Sequence, residues 1–159
     1  MLEARPAGTF SRDYVVTAPD GHVVATIDPA WFRERAEVVM DGSTYACRSR
    51  GIFRPEFTLA VADRTIAIVR RRGAFSRRLE VEVAWRRFEL RPRSIWSRAF
   101  ELVGDDGKPC GAIARRGFFR RDAVIDLPEE LPSAVQVFLF WVVLVIWRRA
   151  AAAAASGGS

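Results

Sequence analysis

Short apolar runs separated by polar turn residues fill most of the chain. Residues 14–18 and 22–27 are rich in β-branched and aromatic side chains, and Pro19, Asp20 and Gly21 lie between them. Such a pair of runs predicts a β-hairpin, because glycine readily adopts the positive φ that a tight turn needs. The same pattern recurs in residues 37–47 around Asp41-Gly42 and in residues 99–114 around Asp105-Asp106-Gly107.

The middle of the chain follows the same alternation. Residues 57–62 and 65–69 flank the polar pair Asp63 and Arg64, which predicts another hairpin. The strand predicted at residues 79–85 has one apolar face, formed by Leu79, Val81, Val83 and Trp85. The apolar positions then change phase, so a bulge or tight turn is predicted at Arg86 and Arg87. Counted in this way, the pattern predicts about ten to twelve strands.

One internal repeat supports this organisation. Residues 67–81 are similar to residues 112–124, with Gly73 and Gly117 at equivalent places and phenylalanine and arginine around both glycines. A repeat that occurs once does not predict a propeller or a solenoid. It predicts two similar β-units within one sheet system, each with a glycine-containing loop.

The last part of the chain has a different pattern. Residues 134–147 are almost continuously apolar, Ser133 and Gln136 have the spacing of a capping box, and Arg148 and Arg149 follow. These features predict one helix at about residues 133–149, ending a single domain of residues 1–149. Residues 150–159 are predicted to be a low-complexity tail. Because the helix is apolar on every side, it must be buried.

Two structures could bury this helix. Fourteen apolar residues span about 21 Å, which is short of the roughly 30 Å hydrocarbon core of a bilayer. The favoured prediction is therefore a mainly β fold, in which a closed antiparallel barrel of about twelve strands surrounds the helix and leaves no open sheet edge. The alternative is a C-terminal membrane anchor that extends through Ala155, with Arg148 and Arg149 reaching the lipid head groups.

Residues 54–59 (Arg-Pro-Glu-Phe-Thr-Leu) and residues 131–141, together with the glycine-centred hairpins, carry a family likeness. The chain resembles, over nearly its whole length, the superfamily of LURP-one-related proteins, Tubby C-terminal domains and phospholipid scramblases. The resemblance implies a twelve-stranded barrel around a central hydrophobic C-terminal helix. It implies no single function, since Tubby-like domains bind phosphoinositides and scramblases are associated with lipid movement and calcium. No segment matches a calcium loop or a lysine-rich phosphoinositide pocket, so no site residue is transferred.

The charge of the chain is almost entirely an arginine charge. Lys108 is the only lysine among 25 basic residues, and the formal net charge is +6. Arginine binds phosphate bidentately, which favours an anionic partner, but GC-rich coding produces the same bias. Cys47 and Cys110 form no C-x-x-C motif, and residues 1–8 contain no apolar secretory segment. We therefore expect reduced thiols and a cytoplasmic location.

No residue constellation identifies a reaction. His22, the only histidine, lies beside the turn at Asp20, where a catalytic role is improbable, and the chain has no phosphate-binding glycine motif. Asp105 and Asp106 lack the spacing of a calcium loop, and Glu129 and Glu130 lie in a proline-bounded connector. We expect a protein that is not an enzyme and that holds no metal or cofactor.

The remaining candidates are basic clusters in the two repeated loops. Phe75, Phe118 and Phe119 lie among them, so the loops could dock on an anionic membrane, with arginines at phosphates and rings in the interface. The candidate lipid-phosphate ligands are Arg70, Arg71, Arg72, Arg77, Arg78, Arg115, Arg116, Arg120 and Arg121.

The expected function is that of a peripheral binder of anionic lipid head groups, on a membrane surface or as a phosphoinositide. The alternatives are a membrane-anchored protein and a protein-interaction scaffold without lipid binding. Because a solvated barrel rim with core-facing rings would have the same basic pattern, the residues favour no single alternative by themselves. Nucleic acid is an unlikely partner, since no recognised nucleic-acid motif accompanies the arginines.

Overall fold

The computed structural model describes residues 1–30, 34–51, 54–73, 75–117 and 120–157. The described residues form twelve strands and one helix. The strands are β1 Leu2–Pro6, β2 Tyr14–Thr17, β3 Val23–Ala30, β4 Arg35–Met40, β5 Ser43–Arg50, β6 Glu56–Val61, β7 Arg64–Arg71, β8 Leu79–Val83, β9 Arg86–Pro92, β10 Ala99–Val103, β11 Pro109–Arg115 and β12 Ala123–Asp126. The helix is α1 Ser133–Gly157.

The strands form a closed barrel, as predicted. Each strand pairs antiparallel with the strand before and the strand after it, and β1 pairs with β12 through Leu2↔Ile125 and Ala4↔Ala123. The predicted hairpins are present at their predicted places. At the β4–β5 turn, Asp41 and Gly42 have φ values of 49° and 74°, which is the left-handed region that this two-residue turn requires.

Antiparallel pairing of consecutive strands places their connections alternately at the two ends of the barrel. We call one end the turn end; it holds residues 18–22, 41–42, 62–63, 84–85 and 104–108 and the connector to α1, residues 127–132. We call the other the loop end; the described residues of its connections are 7–13, 34, 51, 54–55, 72–73, 75–78, 93–98, 116–117 and 120–122. The repeated units form the β7–β8 and β11–β12 hairpins, so both repeated loops belong to the loop end.

The helix α1 runs through the barrel from the turn end to the loop end. Phe138, Phe140 and Trp141 are at most 1% exposed, and Trp147 is 8% exposed. The helix packs on the strands through edge-to-face ring contacts, Tyr14 with Phe140 at 5.4 Å and Phe57 with Trp141 at 5.9 Å. The central rings are thus covered by β-structure.

The entrance of the helix is fixed by the one buried polar side chain of the described core. Gln136 is 7% exposed, and its Nε2 donates hydrogen bonds to the carbonyl oxygens of Leu131 at 2.9 Å and Pro128 at 3.3 Å. These bonds give the buried side-chain amide two hydrogen-bond acceptors in the connector. The connector is therefore held against the first turn of α1.

The predicted end of the helix, at residue 149, was wrong: α1 continues through the alanines to Gly157. Alanine has the highest helix propensity, so a run of alanines after a packed helix continues it. Residues 150–157 are exposed, and the helix therefore projects beyond the loop end. Among the described residues, α1 is long and apolar enough to cross a membrane, but residues 134–145 are buried inside the barrel.

The predicted position of Trp85 was also wrong. Val83 pairs with Arg86, so residues 84–85 form a two-residue turn with Ala84 at φ 54°. Trp85 is 91% exposed at the tip of this turn and not on the apolar face, and Arg86 and Arg87 are the first residues of β9. This turn causes the phase change and lies two residues before the predicted place.

Candidate functional site at the loop end of the barrel

The two ends of the barrel carry opposite charge. The described residues of the loop-end connections include ten arginines and three carboxylates: Arg12, Arg54, Arg72, Arg77, Arg78, Arg93, Arg98, Arg116, Arg120 and Arg121 against Asp13, Glu34 and Asp122. The turn end carries seven carboxylates and one lysine: Asp20, Asp41, Asp63, Asp105, Asp106, Glu129 and Glu130 against Lys108. The molecule is therefore an electrostatic dipole along the barrel axis.

Large apolar side chains are exposed at the tips of the loop end. Phe10 is 97% exposed, Phe75 is fully exposed, Ile95 is 73% exposed and Trp96 is 89% exposed. They belong to three different connections, residues 7–13, 72–78 and 93–98. Four exposed apolar side chains therefore share one end of the barrel with the arginines, although they are spread over different connections around it.

A cleft of about 600 Å³ opens between the projecting part of α1 and the loop-end edge of the barrel. One wall is apolar and includes Phe57, Leu79, Phe100 and Trp147. Five arginines line the rest, and no Asp or Glu does so among the described residues. These arginines are Arg71, Arg77, Arg98, Arg115 and Arg149.

Three N–H donors that belong to residues lining this cleft are buried from solvent and have no hydrogen-bond acceptor among the described residues. They are Nε of Arg71, Nε of Arg115 and Nε1 of Trp147. The guanidinium of Arg115 also lies over the Trp147 ring, 4.7 Å from its centroid. A buried donor without an acceptor is destabilising, so an acceptor group that reached these atoms would stabilise this end of the barrel.

Like charges crowd this region. Burial lowers the pKa of Arg115, and Arg98 and Arg121 lower it further. Burial and then Arg12 lower the pKa of Arg148 to about 10, against an opposing effect of Glu34. Both guanidinium groups remain protonated at neutral pH. An anion in the cleft would offset the repulsion of Arg115 by Arg98 and Arg121.

One strong ion pair fixes the end of the cleft. Nε of Arg149 donates to Oε1 of Glu34 at 2.7 Å, and Nη2 donates to Oε2 of Glu34 and, at 3.3 Å, to Oγ of Ser49. The hydrogen bonds from Arg149 hold the pKa of Glu34 below its ordinary value, although partial burial raises it. Because its guanidinium is paired with Glu34, Arg149 holds the end of α1 against the barrel.

The nine arginines predicted from the sequence do not form one site. Arg71, Arg77 and Arg115 line the cleft. Arg121 donates to the backbone carbonyls of Gly8, Thr9 and Ser11 and thus holds the β1–β2 loop. Arg120 is exposed at the loop end.

The other four predicted arginines have carboxylate partners on the outer wall. Arg70 pairs with Glu56 at 2.8 Å and Glu82 at 3.3 Å, Arg72 with Glu89 at 3.1 Å, Arg78 with Glu89 at 3.8 Å, and Arg116 with Glu3 at 2.7 Å. These pairs neutralise much of their charge. Phe118 and Phe119 lie outside the described residues.

Sequence reasoning missed the cleft residues Ile95, Trp96, Arg98, Trp147 and Arg149. A signal was present in residues 93–98, where an Ile-Trp pair is flanked by arginines between two strands. Neither side chain continues the alternation of β9 or β10, which favours an exposed position for both at the tip of the loop. The sequence pattern does not predict that this loop lies beside the end of α1, because the two come together only when the barrel closes.

The other chemical candidates lie elsewhere. His22 Nδ1 is 2.6 Å from Asp20 Oδ1 at the exposed turn end, and hydrogen bonds from the backbone and the ring of His22 lower the pKa of Asp20. Burial raises the pKa of the Cys47 and Cys110 thiols, which disfavours the nucleophilic thiolate. In the described ranges, no three His, Cys, Asp or Glu side chains come together as metal ligands.

Comparisons with known proteins returned no match, whether against protein-family models, the curated proteins or the solved structures. The likeness to the LURP-one-related, Tubby and scramblase superfamily therefore stays a prediction made from residues 54–59 and 131–141. The geometry of the loop end is the basis for any functional conclusion.

Proposed function

We propose that this protein is a peripheral membrane protein that binds anionic lipid head groups through the loop end of its barrel. One observation carries the proposal: exposed Phe10, Phe75, Ile95 and Trp96 lie among ten arginines at one end, while the opposite end is acidic. The superfamily likeness is compatible with this role and is proposed together with it.

The physical basis is a match between this end and a bilayer surface. Each basic residue near an anionic leaflet contributes about 1 kcal/mol, and aromatic side chains favour the depth of the head groups. Arginine binds lipid phosphate bidentately, while the exposed rings enter the interface between the phosphates. The contribution of each single residue is small, so the binding affinity depends on the sum of the two kinds of contact.

The dipole of the barrel gives the encounter an orientation. The basic loop end is attracted to an anionic leaflet, and the carboxylates of the turn end are repelled from it. The exposed extension of α1, residues 150–157, leaves the barrel at the loop end and would meet the same surface. The exposed apolar side chains of the loop end would therefore reach the membrane surface first.

Vesicle sedimentation tests the proposal with two matched double variants. Arg93→Glu with Arg120→Glu reverses two exposed loop-end charges, and Arg64→Glu with Arg87→Glu makes the same change of net charge beside the turn end. We expect the first variant to lower the affinity for phosphatidylserine–phosphatidylcholine vesicles about 30-fold or more, since each arginine contributes about 1 kcal/mol. The second is expected to bind within about threefold of the parent protein.

Phosphatidylcholine vesicles and added salt complete the test. We expect the parent protein to bind neutral vesicles weakly. We expect its affinity for anionic vesicles to fall as salt rises from about 0.05 to 0.5 M, because salt screens the attraction between the arginines and the lipids. Equal binding to neutral and anionic vesicles, or equal losses in the two double variants, would show that the charge of the loop end does not direct binding.

A further inference from the structure

We infer that the cleft at the loop end binds one single-chain amphiphile with an anionic head group, a phosphate or a carboxylate. The head group would lie against Arg71, Arg115 and the Trp147 indole, and the alkyl chain along the apolar wall and α1. This inference deepens the proposed function and rests on it only for the membrane as a source of the ligand.

The head-group end is defined by the arginines at the barrel rim. Arg71 and Arg115 are the last residues of β7 and β11 and line the cleft with Trp147 of α1, and the Arg115 guanidinium lies over the Trp147 ring. All three are donors, and none of the described residues that line the cleft is a carboxylate. Phosphate and carboxylate oxygens accept several hydrogen bonds and carry the opposite charge, so they match this set.

The chain end is defined by small and apolar side chains. Ala150, Ala151 and Ala154 line the cleft on the exposed part of α1, and positions 150 and 154 lie one above the other on one helix face. Ile95 and Trp96 face them from the β9–β10 loop. These residues leave an apolar path from the arginines toward the exposed tips, along which an alkyl chain can lie.

The size and composition of the cleft agree with such a ligand. A volume of about 600 Å³ is within the range of about 300–1,000 Å³ that small-molecule sites have. Water alone would fill the cleft but would leave the apolar wall hydrated. An amphiphile places an anion among the arginines and removes the wall from water with one molecule.

Titration with monomeric decyl phosphate below its micelle concentration tests the inference without a membrane. We expect saturable binding at one site, weaker binding of octyl phosphate by about fourfold per methylene removed, and no measurable binding of inorganic phosphate or decanol at the same concentrations. Equal binding of inorganic phosphate would mean an anion site only. Absence of decyl phosphate binding would overturn the inference.

Two kinds of variant locate the ligand. Ala154→Phe fills the chain path, and Ala153→Phe adds the same ring to the exposed helix at a position that does not line the cleft. We expect Ala154→Phe to abolish decyl phosphate binding and Ala153→Phe to preserve it. Arg71→Gln and Arg115→Gln are each expected to weaken binding about tenfold or more, and Arg70→Gln, on the outer wall, is expected to have little effect.

The outcomes separate this inference from the proposed function. The double variant Arg93→Glu with Arg120→Glu should lose vesicle binding and keep decyl phosphate binding, because neither residue lines the cleft. Circular dichroism establishes that each variant is folded. If Ala153→Phe and Ala154→Phe bind decyl phosphate equally, the ligand lies outside the cleft, and the vesicle result stands by itself.

Discussion

The turn end and the loop end are built from the same strands and differ in what their connections require. At the turn end, Asp41 and Asp63 have positive φ values of 49° and 61°. Aspartate tolerates that conformation and is a common turn residue, so part of the negative charge at this end follows from turn chemistry. No turn geometry requires the arginines and exposed rings of the loop end. The loop end is therefore the end on which the proposed function depends.

Removal of the helix has the largest expected effect. Without residues 134–159, the inner surface of the barrel loses the side chains that fill it, among them Phe138, Phe140 and Trp141. We expect loss of the cooperative unfolding transition and of native circular dichroism, since burial of these side chains contributes more than the whole net stability of a domain, about 5–15 kcal/mol.

The same deletion distinguishes the barrel core from a membrane anchor. An anchor could be removed while residues 1–133 stay folded and gain solubility without detergent. A folded, soluble product with a sharp unfolding transition would therefore contradict the role of α1 as the core of the barrel.

Removal of exposed rings has the next largest expected effect and compares the two ends of the barrel directly. Phe10→Ser with Phe75→Ser removes two rings from the loop end, and Trp85→Ser removes a 91% exposed ring from the turn end. We expect the first change to lower vesicle affinity about tenfold or more, because full burial of two phenylalanines would contribute roughly 3–6 kcal/mol and interfacial insertion only a part. Vesicle sedimentation measures the difference.

The controls are the stability of both variants and the vesicle binding of Trp85→Ser. All three rings are exposed, so neither variant should change the free energy of unfolding by more than about 0.5 kcal/mol. If Trp85→Ser weakens vesicle binding as much as the double variant does, the two ends are not functionally distinct.

The barrel could be predicted from sequence because its determinants are local. Two-residue alternation and turn residues specify each hairpin, and an apolar helix without another cover specifies closure around it. Trp85 was misplaced because alternation continues formally into a turn, and only the pairing of Val83 with Arg86 ends the strand. Helix length was underestimated because alanine is neutral in an apolar pattern but strong in helix propensity.

The candidate site was less predictable because it depends on pairing across the whole chain. Arg71 and Arg115 are adjacent in sequence to Arg70 and Arg116, which have carboxylate partners on the outer wall. Which member of each pair faces the cleft depends on strand register near the barrel rim. The trio of Arg71, Arg115 and Trp147 combines three elements separated by up to 76 positions in the numbering, and no short motif describes it.

The smallest expected effect concerns Glu34, a carboxylate of the basic end. Its pKa is lowered by the hydrogen bonds from Arg149, so the ionised form contributes stability above the ordinary carboxyl value of 4.5. That contribution is lost as pH falls through the lower pKa of the folded protein. Glu34→Gln is expected to reduce the free energy of unfolding by about 0.5–1 kcal/mol at pH 7, since the pair is partly exposed.

Urea unfolding at pH 7 and pH 3 measures this effect. The difference between the parent protein and Glu34→Gln should be present at pH 7 and should narrow below the ordinary carboxyl pKa of 4.5. Glu101→Gln, which removes the partner of Arg91 on the barrel wall, is the control for loss of a carboxylate. If Glu34→Gln is as stable as the parent protein at pH 7, the pair of Glu34 with Arg149 contributes nothing to stability, and the end of α1 is held by its other contacts.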